Sequence, residues 1–97
     1  MPTYITLMKL TDQGIKNIKN APQRVEAARQ GVEATGGKMT SFYVTMGEYD
    51  YVVITEGTSD ENVMTYLLGL GSAGNVRSTT LKAFTEKEFA AMVKKLP

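Results

Sequence analysis

The residues with the clearest capacity for chemistry stand at one short segment in the middle of the chain. Gly47-Glu48-Tyr49-Asp50 is followed directly by Tyr51, so a carboxylate lies between two phenols. A carboxylate at the mouth of a cavity can orient or deprotonate a small molecule, and a phenol can donate a hydrogen bond to it. Asp50 and Tyr49 are therefore candidate catalytic residues. A structural alternative stays open, because glycine suits a turn and Asp50 can accept bonds from nearby backbone amides.

Arg77 is a further candidate, since it stands alone among small polar residues at the start of a predicted strand. Its guanidinium could clamp a carboxylate or phosphate group of a ligand. The alternative is an ion pair with Glu56 or Asp50, across the sheet or across a subunit boundary.

The segment from Gly69 to Gly74 matches the pattern G-x-G-x-x-G. A dinucleotide-binding loop of that pattern needs a strand before it and a helix after it, so that the pyrophosphate meets a helix N-terminus. Here a predicted helix precedes the glycines and a strand follows. The segment is therefore interpreted as a helix C-terminus and a turn.

Composition excludes several kinds of chemistry. The 97 residues include no histidine, cysteine or tryptophan, which removes thiol chemistry and the commonest metal ligand and proton shuttle. We expect no metal and no cofactor. The formal net charge of +1 gives no field that would attract nucleic acid or a membrane. The N-terminus has no signal-peptide pattern, so the expectation is a soluble, cytoplasmic protein without nucleic-acid or membrane partners.

Four strands and three helical regions are expected to position these residues. Strands are predicted at 3–10, 38–46, 49–56 and 76–84, from their β-branched and aromatic content. The first helical region divides into two helices, predicted at 11–19 and 21–35. A second region is predicted to begin at a capping box of Thr58 and Glu61, and the third at a capping box of Thr85 and Glu88. This order predicts one α+β domain over residues 1–97, ferredoxin-like βαββαβ with an additional C-terminal helix.

Strand alternation divides the predicted sheet into two sets of side chains. We expect Ile5, Leu7, Val52, Ile54 and Leu81 to face the helices. The opposite set is rich in tyrosine, threonine and methionine, a composition that suits an interface with another subunit's sheet. The register of the second strand stays open. The expected ligand-binding residues on this opposite side, together with Arg77, are Tyr4, Thr6, Tyr43, Tyr51 and Thr80.

Three blocks of the sequence resemble the GYD domain family, which is named for Gly-x-Tyr-Asp. The blocks are Thr11-Asp12-Gln13-Gly14, the segment Met46–Val53 with Gly47, Tyr49 and Asp50, and the segment Gly71–Leu81. The resemblance implies a ferredoxin-like domain related to the dimeric α/β-barrel proteins, which pair sheet to sheet. It implies no particular reaction and so transfers no catalytic roles.

These observations lead to one preferred function and two alternatives. The preferred hypothesis is a small homo-oligomer that binds a small molecule in a semi-polar cavity at the sheet face. The first alternative is a cofactor-independent enzyme of the monooxygenase or isomerase type, by analogy with barrel relatives. The second is a structural interaction module or an RNA-binding sheet. RNA binding is disfavoured because all five charged residues between positions 47 and 76 are acidic and repel phosphate.

Overall fold

The computed structural model describes residues 1–97 and contains four strands and four α-helices. A short 3-10 turn at Ile18–Asn20 joins the first two helices. In chain order the elements are β1 (Thr3–Leu10), α1 (Asp12–Lys16), α2 (Ala21–Ala34), β2 (Lys38–Val44), β3 (Tyr51–Glu56), α3 (Asp60–Ala73), β4 (Val76–Ala83) and α4 (Glu86–Val93).

The four strands form one antiparallel sheet in the order β2-β3-β1-β4. Strand β1 therefore lies between β3 and β4, and α2 and α3 cross over the same face of the sheet. This is the ferredoxin-like α+β arrangement that the sequence predicts. None of the helices combines the length and the apolar composition that crossing a membrane requires.

Local sequence accounts for where the helices begin and end. The Thr11 hydroxyl accepts a bond from the Gly14 amide at the start of α1, and Pro22 lies in the first turn of α2. Helix α3 ends at Gly74, whose φ of 86° is left-handed, as the glycine-rich segment predicts. The capping box of Thr85 and Glu88 is present in α4.

The start of α3 corrects one sequence prediction. Ser59, not Thr58, is the N-cap, and its hydroxyl accepts from the Asn62 amide at 3.1 Å. Helical spacing in the sequence predicts a buried stripe of Val63, Met64, Leu67 and Leu68 on α3, and the structure differs in part. Val63 and Leu67 face the sheet as expected, whereas Met64 and Leu68 are exposed. Their places on the inner side are taken by Tyr66 and Leu70, because the helix is rotated by about one position.

The two faces of the sheet are the reverse of the prediction. Tyr4, Thr6, Met8, Tyr51 and Val53 are buried beneath the helices. The other side, which we call the uncovered face, carries Ile5, Leu7, Val52, Ile54 and Leu81. Cross-strand pairs place these five together, since Ile5 is opposite both Ile54 and Leu81, and Leu7 is opposite Val52.

The reversal has a physical reason. Two of the hydroxyls in the buried set, those of Tyr4 and Thr6, are hydrogen-bonded, so their burial carries little desolvation penalty. The Thr6 and Thr80 hydroxyls are 3.0 Å apart, and the Tyr4 hydroxyl donates to the Asp60 carboxylate. Apolar character therefore does not decide which face the helices cover.

A bulge in β2 settles the register that the sequence left open. Met39 is opposite Thr55 and Ser41 is opposite Ile54, so Thr40 is the extra residue. The Thr40 hydroxyl donates to the Ile54 carbonyl at 3.0 Å. Beyond the bulge, Phe42 lies on the helix-covered side opposite Val53, and Tyr43 lies on the uncovered face.

The C-terminal segment extends away from the rest of the protein. We call residues 84–97 the C-terminal arm, and every residue in it is exposed. The Cα coordinates extend 53 × 31 × 19 Å. The arm thus leaves the uncovered face uncovered within one chain.

Candidate functional site

A cavity of about 550 Å³ lies between the sheet and helices α2 and α3. Its floor is the central part of the sheet and its walls are the inner sides of the two helices. The lining is mostly apolar, with a few hydroxyl and charged groups, which is the usual chemistry of a small-molecule site. Residues on the floor include Thr6, Met8, Tyr51, Val53 and Thr55, and those on the walls include Arg24, Val25, Ala28, Val32, Val63, Tyr66 and Leu70.

Tyr51 is the central aromatic residue of the floor. It is 7% exposed, and its ring packs against Phe42 with centroids 5.1 Å apart and planes tilted by 47°. Such tilted pairs hold both rings in place. Its hydroxyl has no hydrogen-bond partner in the chain, although no fully buried polar side-chain atom is unpaired. The hydroxyl is therefore accessible and has no partner within the chain.

Tyr66 joins the two walls of the cavity. Its hydroxyl donates to the Ala28 carbonyl of α2 at 2.7 Å. The approach is possible because Gly31 has no side chain: a Cβ there would lie 2.9 Å from the Tyr66 ring. Burial raises the pKa of Tyr66 to about 12, so the phenol stays protonated as a donor.

Tyr4 and Thr80, two of the predicted ligand residues, support the site without lining the cavity. Tyr4 is buried and donates to Asp60, the first residue of α3. Its hydrogen bond to Asp60, with burial in second place, raises the pKa of Tyr4 to about 12. The same bond, and contact with Lys82 at 3.2 Å, lowers the pKa of the Asp60 carboxyl. The Thr80 hydroxyl is hydrogen-bonded to the Thr6 hydroxyl.

Asp50 is held by the backbone of β1. Its Oδ2 accepts from the Leu10 amide at 2.8 Å, and its own amide donates to the Met8 carbonyl at 2.8 Å. The Asp50 side chain also lines an open depression of about 510 Å³, which shares Tyr51 and Phe42 with the main cavity. Asp50 thus lies beside the main cavity without lining it, and one of its oxygens already has a structural partner.

Tyr49 and Arg77 are associated with the opposite side of the sheet. The Lys9 ammonium lies 5.3 Å from the centre of the Tyr49 ring and 3.6 Å from the Glu48 carboxylate. Arg77 is directly opposite Lys9 on the neighbouring strand and is exposed. It forms no ion pair with Glu56 or Asp50 within the chain, since the salt bridges present involve other cations.

The predicted site residues therefore divide into three groups. Thr6 and Tyr51 both line the cavity, and Asp50 lines the neighbouring depression. Tyr4 and Thr80 lie beside the cavity. The third group, on or beside the uncovered face, is Tyr43, Tyr49 and Arg77. The arrangement does not join Asp50, Tyr49 and Arg77 into one constellation.

Sequence reasoning missed Tyr66, Phe42 and Arg24 as lining residues. The signal for Tyr66 was present, because it falls three residues after Val63 on the same side of α3. Arg24 donates to the Asn17 carbonyl at 2.9 Å and to no carboxylate. No three acidic side chains lie close enough together to hold a metal ion.

The antiparallel sheet, its crossover helices and the cavity between them define a ferredoxin-like α+β protein with a candidate ligand site. A sequence model of the GYD domain matches residues 4–93. The chain belongs to the GYD domain family. It is also 33% identical over 95 residues to the "Glutamine synthetase and cystathionine beta-lyase binding protein" of Thermus thermophilus, covering 97% of this chain and 100% of that protein.

Two solved structures share the fold at low sequence identity. The crystal structure of MtbAldR superposes with a TM-score of 0.68 and 14% identity, over 88% of this chain and 52% of that one. The feast or famine regulatory protein from M. tuberculosis, complexed with L-methionine, gives a TM-score of 0.65 and 19% identity, over 88% and 51%. The chain spans about half the length of these two proteins.

Proposed function

We propose that the protein is a homo-oligomeric binding module that holds a small, largely apolar molecule between its helices and its sheet. The observation that carries the proposal is the 550 Å³ cavity, whose lining includes Tyr51, a residue with an unbonded hydroxyl. An apolar lining stabilises the ligand by desolvation, and a few placed polar groups orient it. Thr6, Thr55 and Tyr51 provide those groups from the sheet, and Arg24 provides a cation at the wall.

Self-association is the second part of the proposal, and the uncovered face supports it. Five aliphatic side chains are adjacent there, and Leu81 is 49% exposed. Contiguous apolar patches of this kind on a small chain mark interaction surfaces. Size-exclusion chromatography with light scattering tests this part, and a protein that is monomeric at working concentration would overturn it.

Indole is a suitable probe for the cavity, because it is apolar and has one N–H donor for a phenol oxygen. In a titration followed by two-dimensional amide NMR, we expect saturable shifts at Met8, Tyr51 and Val53. Ala28→Phe places a ring into the cavity and is expected to abolish these shifts. Ala34→Phe, an exposed substitution on the same helix, is the matched control and keeps them. Shifts confined to the uncovered face would contradict a cavity ligand.

Native mass spectrometry of freshly purified protein identifies a natural ligand. We expect an added mass that is lost under denaturing conditions and is reduced in Ala28→Phe. The same measurement reports the mass of the oligomer. The predicted cytoplasmic location stays a prediction, which cell fractionation tests.

A second candidate function is binding to a metabolic enzyme. It is supported by the relative in Thermus thermophilus, which matches over its whole length and is named for binding glutamine synthetase and cystathionine beta-lyase. Co-elution of this protein with purified glutamine synthetase would support it, and independent elution at micromolar concentration of both would not. Cofactor-independent catalysis is less well supported, because Asp50 is held by the Leu10 amide and Tyr49 is associated with Lys9.

A further inference from the structure

The C-terminal arm carries an apolar stripe that is exposed in its own chain. Phe89, Met92 and Val93 lie on one side of α4, and Leu96, three residues beyond the end of the helix, continues the spacing i, i+3, i+4, i+7. Their exposed fractions are 62, 41, 47 and 69%, and Phe84 before the helix is 57% exposed. Charged side chains on a helix are normally exposed to water. A row of exposed apolar side chains instead indicates a surface that contacts another molecule.

The arm is held away from its own sheet by its connection. Only Phe84 and Thr85 separate β4 from α4, and Thr85 is fixed as the N-cap by bonds in both directions with Glu88. A connection this short, with an ordered cap, fixes the direction in which the helix leaves the strand. The stripe and the uncovered face are therefore two apolar surfaces that do not meet within one chain.

Part of the uncovered face lies close to the point where the C-terminal arm leaves β4. Ala83, the last residue of β4, is opposite Thr3, and two residues earlier Leu81 is opposite Ile5. Ile5 is in turn opposite Ile54. This row of three aliphatic side chains crosses three strands and is the surface that a helix of the arm's chemistry fits.

We propose that the C-terminal arm of each copy packs its stripe over the uncovered face of a second copy, along the row of Ile5, Ile54 and Leu81. The inference rests on the self-association proposed above. In a two-fold pair, each copy's arm covers the uncovered face of the other copy. Both apolar surfaces of both chains are then covered. A net charge of +1 per chain opposes the pairing little.

The area available agrees with a pair of copies. The five exposed side chains of the arm present roughly 500 Å², given that a large apolar side chain buries on the order of 150–250 Å² when covered. A stable interface buries about 800 Å² per partner. The arm therefore accounts for more than half of that area, and the uncovered face can contribute the remainder.

Disulfide trapping tests the contact directly, because the chain contains no cysteine of its own. The variant Leu81→Cys/Met92→Cys is oxidised and examined on a non-reducing gel. We expect a covalent dimer whose disulfides join position 81 of one chain to position 92 of the other in peptide mapping. The control Ile15→Cys/Met92→Cys uses an exposed position on α1 and is expected to stay largely unlinked. Either a disulfide within one chain or equal linking in the control would overturn the inference.

Single substitutions separate this inference from self-association in general. Phe89→Glu changes a residue that is 62% exposed and outside the buried core of its own chain, so the protomer is expected to keep its fold. We expect at least tenfold weaker dimerisation in light scattering, and no change for Ile15→Glu. Dimer loss in Leu81→Glu with an unchanged Phe89→Glu would overturn the role of the arm and leave the sheet-face pairing intact. An unsubstituted protein that is monomeric would overturn both.

Discussion

The carboxylate of Asp50 and the amide of Leu10 are joined by a hydrogen bond of 2.8 Å that ties the β2–β3 connection to the end of β1. The Asp50 amide donates back to the Met8 carbonyl, also at 2.8 Å. At the same end of the sheet, the Thr11 amide donates to the Asn75 carbonyl at 3.0 Å. The three sequence blocks that carry the family resemblance thus come together at one end of the sheet.

The Asp50 bond predicts a measurable loss of stability in Asp50→Ala. A hydrogen bond from a backbone amide to a carboxylate contributes about 1–3 kcal/mol. We expect the free energy of unfolding in urea to fall by that amount. Asp50→Asn keeps an acceptor oxygen and is expected to lose less than half as much. If the free energy of unfolding falls equally in the two variants, the negative charge of Asp50 stabilises the fold and its hydrogen bond to Leu10 does not.

Gly14 predicts a further loss of stability at the same end of the sheet. A Cβ on Gly14 would lie 2.1 Å from the Asn75 carbonyl oxygen, which is backbone and cannot move alone. Gly14→Ala is therefore expected to lower the free energy of unfolding by about 1–3 kcal/mol. The matched control is Gly71→Ala in α3, where nothing lies within 4 Å. There alanine is expected to be neutral or to stabilise by up to about 1 kcal/mol, because glycine is a poor helix former.

Much of the fold was predictable because its determinants are local. The strand bounds of β1 agree with the prediction at both ends, and the capping box of α4 and the glycine end of α3 follow from residues within one turn. The inner side of α2 also follows from helical spacing in the sequence, since Val25, Ala28 and Val32 recur at that spacing and all line the cavity. Caps and periodicity depend only on neighbours along the chain.

The face of the sheet was not predictable from the same signals. Alternation separates Ile5 and Leu7 from Tyr4 and Thr6, but it does not say which set the helices cover. That choice depends on partners distant in sequence: Tyr4 bonds Asp60, and Thr6 bonds Thr80. The cavity was missed for the same reason, because it exists only where two helices and the sheet meet.

The two buried tyrosines predict loss of stability in alkali. The pKa values of Tyr4 and Tyr66 are raised from 10.0 to about 12 in the folded chain. Because the folded state favours the protonated phenol, their contribution is complete below pH 10 and is lost as the pH rises through 12. We expect the urea midpoint to fall across this range. In Tyr66→Phe the fall is expected to be smaller, while stability near neutral pH drops by about 0.5–1.5 kcal/mol with the bond to Ala28. An unchanged alkaline slope would contradict the assignment to Tyr66.

Thr85→Ala removes the N-cap of α4, and we expect the loss of stability to be confined to that helix. The cap consists of the Thr85 hydroxyl accepting from the Glu88 amide at 3.1 Å and the Glu88 carboxylate accepting from the Thr85 amide at 2.9 Å. Its loss costs about 1 kcal/mol of helix stability. Because every residue of the C-terminal arm is exposed, we expect faster amide hydrogen exchange at 86–93 and little change in the global unfolding of the monomer.

The same cap connects α4 to pH and to self-association. The bonds from Thr85 lower the pKa of Glu88, so the cap stabilises α4 above the ordinary carboxyl pKa of 4.5 and this contribution is lost as the pH falls through the folded value. If the arm covers a second copy, the cost of Thr85→Ala appears in the dimer dissociation constant, since only the ordered helix presents its stripe. We therefore expect weaker dimerisation in Thr85→Ala, partial recovery in Thr85→Ser, and an increase in dissociation of unsubstituted protein at acid pH. Faster exchange at 86–93 with an unchanged dissociation constant would show that α4 is a free helix and not part of the interface.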